Sequence, residues 1–567
     1  MRHHAAMDEG ALTELVAFRE ALYGCFGRRR DALFEVVDAL LGAGMLGAGG
    51  SGGAWPSLAH LSLAPGHRRG WGSVYAALRR GVVDGEAVHR LLVRQLVLDG
   101  AATGPLDFAV DVSVWPRRDA TTSPERGYWY HPSADRGARM APVTEGWAYQ
   151  WVARLGVLDA SLDVPPGGPG GPGGLTGGER RRSSWTAPVD VRRVRPAEKA
   201  VQVAVEQLRA FATGYATQVP DQRDQRDQRD QRDQHNSPLF TFDAGYDPAH
   251  LSAEVAGLPV AVLVRLRRHR CFVRLSAEAT EATEATEAAG SSGVFVGRPQ
   301  HSQHSQHSQR PRGLRARNAV TFSCANPATW PPPTALLVKT DPVYGRVDVR
   351  AWANLAAVVR RPPRPSHRGL GRSSGGPYRG PRQVATGTVL RVEVERLPRR
   401  TAGKAPVLLW LWWQAPAPNG TPATGATDAL PAPPTTPTIG DLERCWRAYA
   451  RRFDLEQTFR FLKQHLAWTT PRLRLPEQAD RWTWVVAAAL AQLVLARTAV
   501  ADRRLPWERP LPSSQLTPSR VLRAVAAFAR RFPPVAAPPR PCGRSPGRPK
   551  GRHARPAPRY PPVKKAG

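Results

Sequence analysis

The chain has few of the residues that would place it among stapled or membrane proteins. Its five cysteines, at 25, 271, 324, 445 and 542, form no CxxC pair and have no partner at metal-ligand spacing, so neither a zinc ribbon nor a disulfide framework is expected, and a reducing cytosol fits. The first residues, MRHHAAMDEGALTEL, contain no apolar h-region, so no secretory signal is expected there. The longest apolar run, Val485 to Ala496, falls short of the roughly 20 residues that cross a bilayer. It reads instead as a buried core helix. Acidic residues are scarce: Asp and Glu total 47 against 80 Lys and Arg, a net charge of +33. Only seven of the 80 are lysines. The excess of Arg, Ala, Gly and Pro resembles the coding bias of a GC-rich genome, so mutational drift is one reading of part of the charge.

What is present is a chain of 567 residues, long enough for two to four domains. Its positive charge is spread along the whole length, and a phosphate backbone is the partner that charge suits, through release of condensed counterions. Charge alone does not separate DNA from RNA or from an anionic membrane.

Apolar residues at three- and four-residue spacing in LTELVAFREALYGCF, ALFEVVDALLGAG and AVHRLLVRQLVL predict an α-helical N-terminal domain over 1–100, a candidate DNA-binding domain. LDFAVDVSVW then alternates strictly, with Leu106, Phe108, Val110, Val112 and Val114 on one face of a strand and Asp111 on the other. Strands are expected in GYWYHP and AYQWVARL, a flexible Gly/Pro linker at 165–178 and an amphipathic helix at 197–212. A strand LFTFDAG, a short helix near 248–256 and a strand PVAVLVRL follow. The expected divisions are 101–266 for the first part of an α/β core, 267–440 for a Pro-rich, β-rich insertion, 441–533 for a helical second part and 534–567 for a disordered basic tail. Helices are expected at about 441–467, 478–500 and 517–531. Tandem triplets, DQR from Asp221, EAT within 278–287 and HSQ within 301–309, are too short in period for a solenoid. They read as slippage products in solvated loops.

The strongest local pattern lies in AYARRFDLEQTFRFLKQHL, where Tyr449, Arg452, Glu456 and Lys463 follow the spacing Tyr-(2)-Arg-(3)-Glu-(6)-Lys. On one continuous helix these four occupy a stripe about 60° wide. Leu455, Phe459, Leu462 and Leu466 form the apolar face beside it. An exposed helix with Arg-Glu and Glu-Lys pairs would explain the same residues without any chemistry.

With that spacing the sequence resembles the DDE transposases of bacterial insertion sequences that carry this signature, over most of the chain. The resemblance implies a ribonuclease H-like α/β catalytic core with a β-rich insertion, preceded by the helical N-terminal domain. It implies three catalytic, metal-holding carboxylates: Asp111 on the first strand, Asp243 at the end of a later strand and Glu456 on the helix. Asp119 and Asp247 are rival carboxylates close in sequence. Two Mg²⁺ ions, with Mn²⁺ as a substitute, would be the cofactors, and carboxylates suit Mg²⁺ as hard oxygen ligands. Two such ions about 4 Å apart stabilise the attacking and leaving oxygens of an in-line displacement at phosphorus.

Arg452 and Lys463 would then contact phosphates and Tyr449 would stack or hydrogen-bond nearby. The implied partners are the inverted-repeat ends of the element and target DNA, with a homodimer in the DNA complex, at the nucleoid of a bacterial cytoplasm. In the tail, Gly543 to Arg552 (GRSPGRPKGR) resembles an AT-hook, with Arg548 reading a minor groove. A generic basic tail is the other reading. A catalytically inactive or domesticated DNA-binding descendant, a structure-specific nuclease on the same fold, and a largely disordered RNA-binding protein are the rival functions. The alternating strands and amphipathic helices disfavour the last.

Overall fold

The computed structural model describes residues 9–43, 57–98, 106–130, 143–156, 185–218, 237–274, 321–358, 384–397, 406–417, 436–528, 533–540, 549–551 and 555–564. The three triplet runs, the 165–178 linker and Arg548 lie outside them. The chain divides into two compact units, 1–242 with 447–567, and 243–446.

The first unit opens with helices α1 (Glu9–Gly24), α2 (Arg30–Gly42), α3 (Leu58–Leu61), α4 (Gly72–Arg80) and α5 (Gly85–Val93), the last running into a π turn at Arg94–Leu98. Its sheet is built from β1 (Asp107–Pro116), β2 (Gly127–Tyr130), β3 (Val143–Leu155), β4 (Thr186–Val194) and β5 (Leu239–Phe242). β1 pairs antiparallel with β3, placing Asp111 opposite Trp151. β2 and then β4 pair antiparallel along the other edge of β3. After β4 the chain crosses over through α6 (Ala200–Gln218) and returns as β5, parallel to β1 with Asp107 opposite Leu239.

Both faces of this sheet are covered, as a sheet with a crossover helix requires. On the face of α6, Val114, Trp129, Ala148, Val194 and Val203 pack together, and Phe108 stacks on Phe240 at 4.7 Å. The opposite face carries Ala109, Trp115 and Trp151 into a much larger core shared with helices α9 (Phe453–Gln464), α10 (Pro476–Ala499) and α11 (Pro518–Phe528). Strand β4, not anticipated in the sequence, closes the far side. Its apolar positions Val189, Val191 and Val194 are interrupted by Arg192 and Arg193, which blurs the alternation.

The N-terminal helices do not form a core of their own. Leu15, Phe18, Leu22, Val36 and Leu40 join the same buried cluster as Trp151, Phe459, Trp482 and Leu490. The physical reason is α10. Apolar over nearly its whole circumference, it needs partners on every side, and among the described residues it is the one helix long and apolar enough to cross a membrane. Here 83 % of its most apolar window is buried, in line with the core-helix expectation. Arg19, buried beside it, donates to Gln492 Oε1 at 2.7 Å and pairs with Asp38 at 2.8 Å.

The tail also departs from expectation where it is described. Tyr560 N donates to Thr121 O at 2.8 Å, Val563 N to Arg126 O at 2.7 Å, and Arg126 Nη2 to Tyr560 O at 2.9 Å. Residues 555–564 thereby attach to the segment leading into β2, because its backbone donors and acceptors offer an edge to pair with. Ala536 is buried and accepts from Arg68 Nη2.

The second unit is an antiparallel sheet in the order β6 (Ala261–Leu266), β12 (Val407–Gln414), β11 (Val384–Val394), β10 (Gly345–Val358), β7 (Cys271–Arg274), β8 (Thr321–Ser323), with β9 (Ala335–Asp341) also on β10. A register shift between Trp352 and Leu355 lets the long β10 pair first with β9 and then with β7 along the same edge. Helix α7 (Pro248–Val255) packs on this sheet, and Ser252 Oγ accepts from Trp412 Nε1 at 2.9 Å. Gly387 must lack a side chain, since a Cβ there would meet the Trp412 ring at 2.5 Å. This compact unit starts at 243, and its strands β7 to β12 fall between Cys271 and Gln414.

Helix α8 (Ile439–Arg451) leads back into the first unit. The single helix expected over 441–467 is interrupted at Arg452. Arg452 keeps helical angles, φ −51 and ψ −32, yet Leu455 N bonds Arg452 O, three residues back, which tightens the turn and starts α9 as a separate helix. The four-residue stripe is therefore split, with Tyr449 on α8, Arg452 at the junction and Glu456 and Lys463 on α9.

Candidate active site

β1 is stiffened by β-branched residues and clamped on both edges, so the side chain of Asp111 is set by the pleat. It belongs to the Ala109 and Trp115 face, over which α9 is anchored by Leu455, Phe459 and Leu462. Glu456 lies in the first turn of α9, where the helix dipole favours a carboxylate.

Between them stands Arg452. Its Nη1 donates to Asp111 Oδ2 at 3.0 Å and its Nη2 to Glu456 Oε1 at 3.2 Å. The guanidinium is only 5 % exposed, Asp111 19 % and Glu456 49 %, so the arginine sits beneath and Glu456 opens to solvent. The stem is fixed by aromatic rings, 5.1 Å from its Cζ to the Phe453 centroid and 5.9 Å to that of Tyr449. Two carboxylates and one guanidinium sum to one negative charge, and the remaining Asp111 oxygen, Oδ1, accepts from Val112 N at 2.8 Å.

The other sequence-derived residues fall as follows. Tyr449, expected at DNA, is fully buried and set edge-on to Phe453 at 6.3 Å, a platform for Arg452. Lys463 lies two turns along α9 from Glu456, its Nζ 5.9 Å from the Trp468 ring. Burial pushes its ammonium pKa down. Asp243 is the residue after β5, and its Oδ1 accepts from Gly245 N at 2.8 Å. The β1–β5 register runs from Asp107 opposite Leu239 to Ala109 opposite Thr241. Asp111 and Asp243 each lie two residues beyond that last pair.

Of the rivals, Asp247 is engaged as the N-cap of α7, accepting from Ala249 N at 3.1 Å and from Arg270 Nη2 at 3.0 Å. Asp119 is exposed in the loop after β1. Among the described residues no three His, Cys, Asp or Glu side chains stand close enough to hold a metal together. The bridge from Arg452 to Asp111, across 341 residues, was missed in the sequence. Only its shorter arm, the i,i+4 pairing with Glu456, has a signal there.

No curated protein matches the chain. Residues 21–164 match the family model described as DDE superfamily endonuclease. The matched stretch includes Asp111 and ends before Asp243 and Glu456. This similarity supports a DDE-type nuclease of the transposase kind, acting on DNA.

Proposed function

We propose that the chain is a DDE transposase of the insertion-sequence type on a ribonuclease H-like core, which binds element ends, cleaves them and joins the 3′-hydroxyls to target DNA. The observation that carries this reading is the convergence of Asp111 and Glu456 on one buried cation, Arg452. Two hard-oxygen donors from opposite ends of the chain are thus aimed at positive charge, as a Mg²⁺ or Mn²⁺ site requires. Asp243, at the end of the strand beside β1, is the proposed third ligand. Bound divalent ions would supply Lewis-acid stabilisation of the attacking and leaving oxygens.

The chain's own residues do the positioning. β1 fixes Asp111, the first turn of α9 presents Glu456, and Arg452 balances their charge before an ion arrives. The planar fork of Arg452 also suits the oxygens of a phosphate. Lys463, about 10 Å further along α9 by helical rise, would meet the next part of the same backbone. Tyr449 is proposed to act through Arg452 rather than by touching DNA. A homodimer would bring two ends together for concerted cutting.

The test is Glu456→Gln, which keeps shape and removes charge. Mg²⁺-dependent nicking of a duplex bearing the element's own terminus should fall by several orders of magnitude while binding persists. If wild type binds ends tightly and cuts no faster than the variant, the chain is a catalytically inactive or domesticated DNA-binding protein instead.

A further inference from the structure

We propose that the cavity bounded by α5, β4, α6 and the first turns of α10 is a binding site for a linear aliphatic polyamine, with Asp190 and the Nε2 of His89 receiving one of its ammonium groups. The cavity, about 570 Å³, is lined by Glu86 and His89 on α5, Asp190 and Arg193 on β4, and Asp480 and Trp484 on α10. That volume is in the range of small-molecule sites. Its position follows from β4, which among the described residues pairs with β3 alone and skips Val189: Val152 stands opposite Asp190 and Ala153 opposite Pro188. Such a bulge leaves one residue outside the ladder. His89 Nδ1 donates to the oxygen of that residue, Val189, at 3.0 Å.

The bond to Val189 fixes the tautomer. With the proton on Nδ1, Nε2 of the neutral ring is an acceptor, and it is buried with no hydrogen-bond partner. His89 is 7 % exposed and Asp190 6 %. The arginines around Asp190 are engaged with other acids: Arg193 with Asp480 and Glu125, Arg192 with Glu206, and Arg195 with Glu198 at 3.8 Å. Burial pushes the Asp190 carboxyl pKa up even with His89, Gln207 and Arg192 beside it. A buried acid next to a bare buried acceptor calls for a donor that brings positive charge.

An organic cation fits better than a metal. No three His, Cys, Asp or Glu side chains among the described residues stand close enough to hold an ion, whereas an ammonium group needs only hydrogen-bond acceptors for its N–H donors. Glu86, exposed and one helical turn before His89, adds negative charge at the mouth. A second positive group is served at the other end. Asp190 and Arg193 are three residues apart on β4, about 10 Å by strand rise, and Arg193 holds Asp480 there. Trp484, one turn further along α10, offers a ring to a cation. Acids at both ends suit two ammonium groups on one chain. The net charge of +33 opposes a cation only weakly, because salt screens exposed charges beyond about 8 Å.

The experiment is isothermal titration calorimetry of the full chain, free of DNA, with putrescine and then spermidine, and with butanediol as the uncharged control. Wild type should bind both amines in a single saturable phase and ignore the diol. Asp190→Asn removes a buried charge, so it should keep or raise the melting temperature of the free protein while weakening putrescine about tenfold or more. In His89→Asn the shorter amide can keep the Val189 bond while Nε2 is deleted, and binding should weaken about fivefold. Glu86→Gln, at the exposed mouth where the fold is not at stake, should weaken it about two- to threefold. Glu20→Gln, an exposed acid on α1, should leave it unchanged.

Absence of saturable heat with wild type would overturn the proposal and make the cavity a solvent pocket. So would full affinity in both Asp190→Asn and Glu86→Gln. Equal weakening by Glu20→Gln would reduce the effect to net charge, and displacement of putrescine by an equal concentration of Mg²⁺ would replace the polyamine by a metal. No DNA is present and no cleavage is read, so these results stand whatever Glu456→Gln shows.

Discussion

Two arginines with buried side chains in the first unit each hold two acids, and they differ in how they divide their nitrogens. Arg193 on β4 pairs with Asp480 through Nε at 2.9 Å and Nη2 at 3.3 Å, and with Glu125 on a third nitrogen at 2.5 Å. Tyr149 Oη donates to the same Asp480 oxygen at 2.8 Å. The fork is bidentate on Asp480, tying α10 to β3 and β4, while Asp480 and Glu125 stay 36 % and 44 % exposed. Arg452 gives one nitrogen to each of two carboxylates and leaves Glu456 half exposed. A bidentate clamp stores stability, whereas a divided one holds two carboxylates ready to exchange their cation.

The largest expected difference is in stability. Arg193→Met should cost about 2–3 kcal/mol in a urea-midpoint measurement, since it strands charge-assisted hydrogen bonds at Asp480. The fold should then melt without any change in Mg²⁺ response. Were Arg193→Met no less stable than wild type, the clamp would be ornamental and the contrast with Arg452 would collapse.

Arg452→Gln should cost less in the absence of metal, about 1–2 kcal/mol from a lost charged contact and two facing carboxylates. Its distinctive outcome is a larger rise in melting temperature on adding Mg²⁺ than wild type shows, because no guanidinium then competes for Asp111 and Glu456. A smaller rise than wild type would mean that Arg452 builds the ion site instead of occupying it.

pH sharpens the same contrast. At Asp480 burial raises the carboxyl pKa and outweighs the lowering by the charge and hydrogen bond of Arg193. Its contribution to stability is therefore complete below the ordinary value of 3.8 and is lost as pH rises through the higher folded-state value. Asp480→Asn should lose stability relative to wild type in acid and recover part of that difference toward neutrality. Melting curves at stepped pH that run parallel for the two proteins would refute it.

The smallest effect concerns the tail. Deleting residues from 555 removes two backbone hydrogen bonds, to Thr121 and Arg126, and one from the Arg126 side chain, and should lower stability by about 1 kcal/mol or less. A loss rivalling that of Arg193→Met would make the tail part of the core.

Much of the frame was legible because it is local. The alternation in β1, the apolar face of α9 and the continuous apolar run of α10 each follow from side-chain period alone. The strand β4 was hidden because Arg192 and Arg193 break its alternation, and Arg193 is buried by a partner, Asp480, that lies 287 residues away. The independence expected of residues 1–100 failed for a related reason. An amphipathic helix shows that it needs a partner without showing which one, and here the partner is α10, hundreds of residues later.

The candidate site divides in the same way. Sequence by itself determined the residue types and the spacing around Glu456, and hence the resemblance to DDE enzymes, because a helical stripe depends only on 3.6 residues per turn. Tertiary structure alone decided that the stripe breaks at Arg452, that Tyr449 is buried under the guanidinium, and that Asp111 and Glu456 share one cation. Those contacts depend on how β1 and α9 pack across a shared core, and packing between distant segments leaves no period in the chain.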